Sequence, residues 1–180
     1  MDYSRLTSNI VDVLKEEQIK LGYQKEKVQL YYPLKSLNRF LGTRLHAQEM
    51  ASALSGFQEE VKPTLGDVKV TVDGKRFCFH IPPEGTEYVH LYSDPAEFLT
   101  ALIRLVEKHG TAMEEVLALF KKYSDRVRII KMPESEDFDY LVYFEDAAPD
   151  AYRYCLTEEG GHVIYHRYTK EDYEDLFDTE

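Results

Sequence analysis

The run Val68-Lys69-Val70-Thr71-Val72, Asp73-Gly74, Lys75-Arg76-Phe77-Cys78-Phe79-His80 commits this stretch to a β-hairpin. β-Branched and aromatic residues alternate with polar ones on both arms, and Asp-Gly supplies the positive φ angles that a two-residue turn demands. With Asp73-Gly74 as the turn, 72 pairs with 75, 70 with 77 and 68 with 79. Val68, Val70, Val72, Phe77 and Phe79 then share one face, the expected core face. Its reverse carries Asp67, Lys69, Thr71, Arg76, Cys78 and His80.

Around this hairpin the hydrophobic period assigns the other elements. Leu6, Ile10, Val13, Leu14 and Leu21 recur at helical spacing before Gly22, which predicts an amphipathic helix over about 4 to 21. Val28, Leu30 and Tyr32 alternate up to Pro33 in a short extended passage. Leu34, Leu37 and Leu41 suit a second helix halted by Gly42, and Met50, Leu54, Phe57 and Val61 a third that Gly56 can cut short. Glu87 to Tyr92 reads as a further strand. Asp94 and Pro95 open a helix striped by Phe98, Leu99, Leu102, Ile103, Leu105 and Val106 and ended by Gly110. Thr111 and Glu114 form a capping box for the next, buried through Met113, Val116, Leu117 and Phe120, so the two make an antiparallel helical hairpin.

After Ser124-Asp125 the period falls to two. Strands are expected at Val127 to Lys131, Phe138 to Glu145, Tyr152 to Thr157 and Val163 to Tyr168, an antiparallel meander in which Thr157 faces His162 across Gly160-Gly161. Tyr152, Tyr154, Leu156, Val163 and Tyr165 share one face, and Arg153, Cys155, Thr157, His162, Ile164 and His166 the other. Thr169 and Asp172 start a closing helix that runs to Phe177. The fold class expected is α+β: N-terminal helices, a β-hairpin plus one strand, a helical hairpin, a four-stranded meander and a short C-terminal helix, with the helices packed on the meander. A chain of 180 residues is expected to bury about 70% of its unfolded surface as a single domain, 1–180.

Charge is segregated. Met132 to Glu180 holds 15 of the 33 acidic residues against three basic ones, Arg153, Arg167 and Lys170, and the rest of the chain is balanced at 19 basic to 18 acidic, so −12 and +1 sum to −11. The same quarter carries seven of the 14 tyrosines. Such acidity excludes nucleic acid as an expected partner, because phosphate contacts require Lys and Arg. No stretch approaches the roughly 20 apolar residues of a membrane span, and the first residues lack an export signal, so the expected location is the cytoplasm. Cys78 and Cys155 are read as free thiols.

Candidate chemistry is sparse. Asp67 opposite His80, with Cys78 two residues away, has the composition of a nucleophilic triad. Residues two apart on a strand lie about 6.8 Å from each other, too far for nucleophile and base, so only a histidine from elsewhere, such as His90, completes it. His162 and His166 on a strand span about 13 Å and share no ion, so no metal site is expected. Gly160-Gly161 is a turn and not a phosphate cradle, and nothing implies a cofactor.

Glu16-Glu17-Gln18-Ile19-Lys20-Leu21-Gly22-Tyr23, followed by Leu30-Tyr31-Tyr32-Pro33-Leu34-Lys35-Ser36-Leu37-Asn38, resembles the N-terminal part of a small family of uncharacterised bacterial proteins catalogued as a domain of unknown function. The resemblance implies a cytoplasmic bacterial protein and brings no functional residues. The charge bias then sets the leading expectation, a non-enzymatic binding protein of inhibitor or immunity type. Its expected contact residues for a basic protein partner are Tyr168, Glu171, Asp172, Tyr173, Glu174 and Asp175. The alternative is a small hydrolase or transferase built on Asp67, Cys78, His80 and His90, and a third reading is a structural subunit completed by a second copy, since the sequence leaves the oligomeric state open.

Overall fold

A computed structural model of the chain describes residues 1–135 and 137–177. Three of the acidic residues counted above, Glu136, Asp178 and Glu180, therefore lie outside the described residues. The fold is α+β, with two antiparallel sheets of three and four strands. Its contacts gather in two compact units, Met1–Pro95 and Ala96–Glu180. No helix among the described residues is long and apolar enough to cross a membrane.

The first unit comprises α1 (Ser4–Leu21), β1 (Val28–Pro33), α2 (Leu34–Leu41), α3 (Ala47–Leu65), β2 (Lys69–Asp73), β3 (Arg76–Ile81) and α4 (Pro83–Tyr92), with sheet order β1-β3-β2. Leu6, Ile10 and Leu14 put one stripe of α1 into the core, and Met50, Leu54, Phe57, Val61 and Leu65 do the same for α3. They bury against the central strand β3 through Phe77, Phe79 and Ile81. Phe79 takes Phe57 edge-on at 5.6 Å and Tyr32 at 5.3 Å, a geometry that adds to area burial. The N-terminal helices thus find their core on this small sheet, whereas the sequence assigned them to the meander.

Three local expectations change. The hairpin turn lies one residue later, at Gly74-Lys75 with Asp73 opposite Arg76, which moves every cross-strand partner by two. Gly74 has φ +61° and Lys75 no positive φ, the pattern of a type II′ turn. A shift of two changes the partners but preserves the faces: Val70 meets Phe79 in place of Phe77, and Val72 meets Phe77. Glu87 to Tyr92 is helix, not strand: Pro83 sits in its first turn, and Gly85, Thr86 and Val89 form its buried face. The strand that joins the hairpin is β1 instead. Finally, α3 runs through Gly56 because the Tyr3 ring lies where a Cβ would stand, and Tyr3 donates its hydroxyl to the Ala53 carbonyl at 2.6 Å.

The second unit comprises α5 (Glu97–Val106), α6 (Met113–Tyr123), β4 (Val127–Lys131), β5 (Tyr140–Phe144), β6 (Arg153–Glu159), β7 (His162–Tyr168) and α7 (Lys170–Phe177). The strands form the expected meander in sequential order. Helices cover both of its faces. On one, Phe98 of α5 is the hub of an aromatic cluster with Phe120 at 4.9 Å, Phe144 at 5.1 Å and Tyr154 at 5.7 Å. On the other, Tyr173 and Phe177 of α7 pack on Phe138, Leu141 and Cys155. Gly160 and Gly161 form the β6–β7 turn with φ of +59° and +78°, so Glu159 faces His162 and Thr157 faces Ile164, again two residues from the expected pairing with the faces kept. The α6 cap also moves by one: the Ala112 N–H donates to Glu115 Oε2 at 2.8 Å, while the Thr111 hydroxyl donates to Leu105 O and Lys108 O.

Candidate functional site

The four residues of the enzyme reading are dispersed. The two-residue shift puts Lys69 opposite His80 and leaves Asp67 exposed before β2. Gln29 of β1 donates to His80 Nδ1 at 3.3 Å, which leaves the ring proton on Nε2 to be donated to Thr71 Oγ1 at 2.9 Å. Both ring nitrogens are thereby engaged by neutral partners, and neither serves a thiol. Cys78 is buried between Tyr31 and Thr71 on the flanking strands, and its thiol raises the Tyr31 hydroxyl above its usual pKa. His90 lies exposed on α4, stacked on Tyr23 at 4.1 Å with ring planes 5° apart. His162 meets a residue the sequence reading did not pair with it, His109, at 3.3 Å. Among the described residues no group of three or more His, Cys, Asp or Glu could hold a metal ion.

The acidic quarter is arranged by the meander. At one end of the sheet Glu145 is met by Arg126 at 3.8 Å and Arg128 at 3.5 Å, basic residues from upstream. Asp150, at that end, accepts the Tyr154 hydroxyl at 2.6 Å; burial and this carboxylate push the Tyr154 pKa well above its usual range. Exposed Asp137, Asp139, Glu158 and Glu159 gather at the opposite end, where Asp139 Oδ2 accepts the Glu158 N–H at 2.8 Å and Lys131 closes β4. Of the quarter's own cations, Arg153 lies 3.9 Å over the Tyr143 ring, Arg167 4.2 Å over Tyr152, and Lys170 pairs with Glu174 at 3.8 Å.

Helix α7 carries the expected contact residues. Thr169 Oγ1 accepts the Asp172 N–H at 3.1 Å and starts the helix. Tyr173 is turned inward and buried, and Tyr168 packs on Phe177 at 5.7 Å, its pKa raised first by desolvation. Glu171 and Asp172 are half-buried, Glu174 and Asp175 exposed, and Leu176 stands beside them 58% exposed. The tyrosines are therefore the seat of the helix, and its outer surface carries carboxylates, the Lys170 that pairs with Glu174, and one apolar side chain, Leu176.

The first unit holds a feature that the sequence reading passed over. A cleft of about 970 Å³ opens between α2, the α2–α3 loop and the β2–β3 turn. Lys35, Arg39, Arg44 and Lys75 line it with Pro33 and Leu34, and among the described residues no acidic one does. Asn38 fixes its loop: Oδ1 accepts the Thr43 hydroxyl at 2.8 Å and the Leu45 N–H at 2.7 Å, and Nδ2 donates to Leu45 O at 2.9 Å. Gly42, in the left-handed region at φ +64°, lets the chain reverse there. The signal was present in sequence, since residues 28 to 48 contain Lys35, Arg39 and Arg44 and no Asp or Glu.

A family model described as "Domain of unknown function, E. rectale Gene description (DUF3877)" matches residues 3–177. The chain belongs to this family. The DUF3877 match spans the hairpin, the meander and α7 as well as the N-terminal motif that carried the resemblance. No match was found among curated proteins or among solved structures.

Proposed function

We propose that this DUF3877 protein is a cytoplasmic, non-enzymatic binding protein that holds a basic protein surface with its acidic C-terminal quarter, as an inhibitor or immunity-type partner would. The observation that carries the reading is α7, whose inward Tyr173 and Phe177 fix it on the sheet while Glu174, Asp175 and Leu176 face solvent. Charges mounted on a seated helix steer a basic partner, and an exposed leucine among them gives the encounter an apolar contact to lock on. The contact set narrows to Glu171, Asp172, Glu174, Asp175 and Leu176, because Tyr173 and Tyr168 serve the interior. No observation favours the hydrolase or transferase alternative.

The test compares proteins retained by the full chain with those retained by a variant carrying Glu171→Gln, Asp172→Asn, Glu174→Gln and Asp175→Asn. Retained partners should have basic surfaces, should bind the variant about tenfold more weakly, and should be released as salt shortens the Debye length. Partners held equally by both forms and at all ionic strengths would overturn the proposal.

A further inference from the structure

We infer that the open edge of β2 pairs with the same edge of a second copy of this chain, joining two three-stranded sheets into one antiparallel sheet about a twofold axis at Thr71. β2 lies at the margin of the order β1-β3-β2, so among the described residues one of its flanks has no strand beside it. The two-residue turn makes Asp73 and Arg76 a hydrogen-bonded pair, and alternation then aims the backbone groups of Lys69, Thr71 and Asp73 at β3. Those of Val70 and Val72 point outward, where another strand can take them.

The strand is complementary to its own reverse. Set antiparallel to itself about Thr71, Lys69-Val70-Thr71-Val72-Asp73 puts Lys69 opposite Asp73 of the second copy, and Val70 opposite Val72, at both ends of the ribbon. The outward amides fall on the Val70–Val72 rungs, which exchange their hydrogen bonds in pairs. Val72, 52% exposed in the single chain, gains the cover of Val70 from the second copy. Asp73 lies 4.0 Å from Arg76 with both side chains well exposed, a surface contact that leaves its carboxylate able to meet a second cation. Charge also fixes the register. Sliding by two residues in one direction sets Lys69 against Lys75, and in the other Asp67 against Asp73.

The other sheet edges lack this property. Centred on itself, β4 sets Val127 opposite Lys131 and Arg128 opposite Ile130, and β7 sets His162 opposite Tyr168 and Val163 opposite Arg167, with no opposite charges meeting. β1 ends in Pro33, which has no N–H to donate. The net charge of the first unit permits the approach as well. Met1–Pro95 holds 12 basic and 13 acidic residues, a net −1, whereas Ala96–Glu180 holds 10 and 20, a net −10. Copies that meet through the first unit therefore escape most of the repulsion between whole chains. Five residues make an interface below the roughly 1,200 Å² of standard ones, so the dimer should be weak, with a Kd on the order of 10–100 μM.

Sedimentation velocity of the full chain from about 5 to 500 μM should show a monomer giving way to a dimer. Lys69→Asp sets two carboxylates against each other across the axis, and Asp73→Lys sets two ammonium groups. Each should weaken the dimer at least about tenfold, although one lowers the net charge and the other raises it. Mixed in equal amounts, the two variants should dimerise with each other about as well as the parent does with itself, because opposite charges again meet at both ends. Both positions are exposed, and an unchanged thermal midpoint would confirm that the fold is kept. A parent chain that stays monomeric over the whole range, single variants that dimerise like the parent, or a mixture that stays monomeric would each overturn the pairing.

Discussion

Gly56 should be a glycine that cannot be improved. It sits mid-way along α3, where helix propensity alone makes Gly→Ala stabilising by about 1 kcal/mol. The structure reverses the sign. An added Cβ would overlap the Tyr3 hydroxyl oxygen and lie 3.2 Å from Cζ and 3.3 Å from Cε2 of the same ring. Tyr3 would have to move, although it is only 7% exposed, donates to Ala53 O and meets Phe57 edge-on at 5.9 Å. Burial of the ring is worth about 1.5–3 kcal/mol, the hydrogen bond about 1 and the ring pair about 0.5–1.5. Partial displacement should forfeit about 3 kcal/mol of this, so Gly56→Ala is expected to destabilise by about 2 kcal/mol net. In a Tyr3→Ala background the obstacle is gone and the same substitution should stabilise by up to about 1 kcal/mol. Urea unfolding followed by far-ultraviolet circular dichroism and tyrosine emission reads both values; the chain has no tryptophan. A Gly56→Ala protein as stable as the parent, or the same shift in both backgrounds, would refute the role given to Tyr3.

Two further expectations concern the second unit. Phe98→Ala removes the ring that joins α5 to Phe120, Tyr123, Phe144 and Tyr154 and should cost about 3–5 kcal/mol in the same unfolding assay, whereas a loss under about 1 kcal/mol would show that Phe98 is no hub. Burial pushes the Cys155 thiol up to about 12 from 9.0, so the folded chain keeps a proton that the unfolded chain releases. The stability linked to this group is full below about pH 9 and is lost as pH rises towards 12, at roughly 1 kcal/mol per pH unit, with Tyr154 adding to the fall above about 10. An unfolding free energy that stays flat or rises from pH 9 to 11 would contradict it, as would alkylation of Cys155 in the native protein at the rate of a free thiol.

Elements whose buried face repeats within a few residues were legible in the sequence: the α1 stripe, the two-residue alternation of the meander and the Phe98 stripe of α5 all follow from period alone. Strand faces also survived a two-residue error in both hairpin registers, since a shift of two restores each side chain to its side. What failed depended on a partner distant in sequence. Glu87 to Tyr92 alternates like a strand, but the proline at its start and the close approach of Gly85 to Leu65 O, 2.5 Å from where a Cβ would lie, fit it to the end of α3 as a helix. Gly56 looked like a stop because nothing local announces Tyr3. Residues 67, 78 and 80 looked like a reactive set while their cross-strand neighbours were misplaced by two, and His90 joined them only while its segment was read as a strand. The basic cleft escaped because Lys75 joins Lys35, Arg39 and Arg44 only after the hairpin turn folds beside α2.

The roofing of the meander has a consequence for how this unit breathes. Strands β5 and β6 have a neighbour on each side, the α5–α6 pair over one face and α7 over the other. Their amide protons are screened from heavy water in every direction, whereas those along β4 and β7 each have one flank without a strand. Deuterium should therefore enter the Leu141–Cys155 and Val142–Tyr154 rungs last, and the inner ribbon should be the last part of the C-terminal unit to open when the rest has let go.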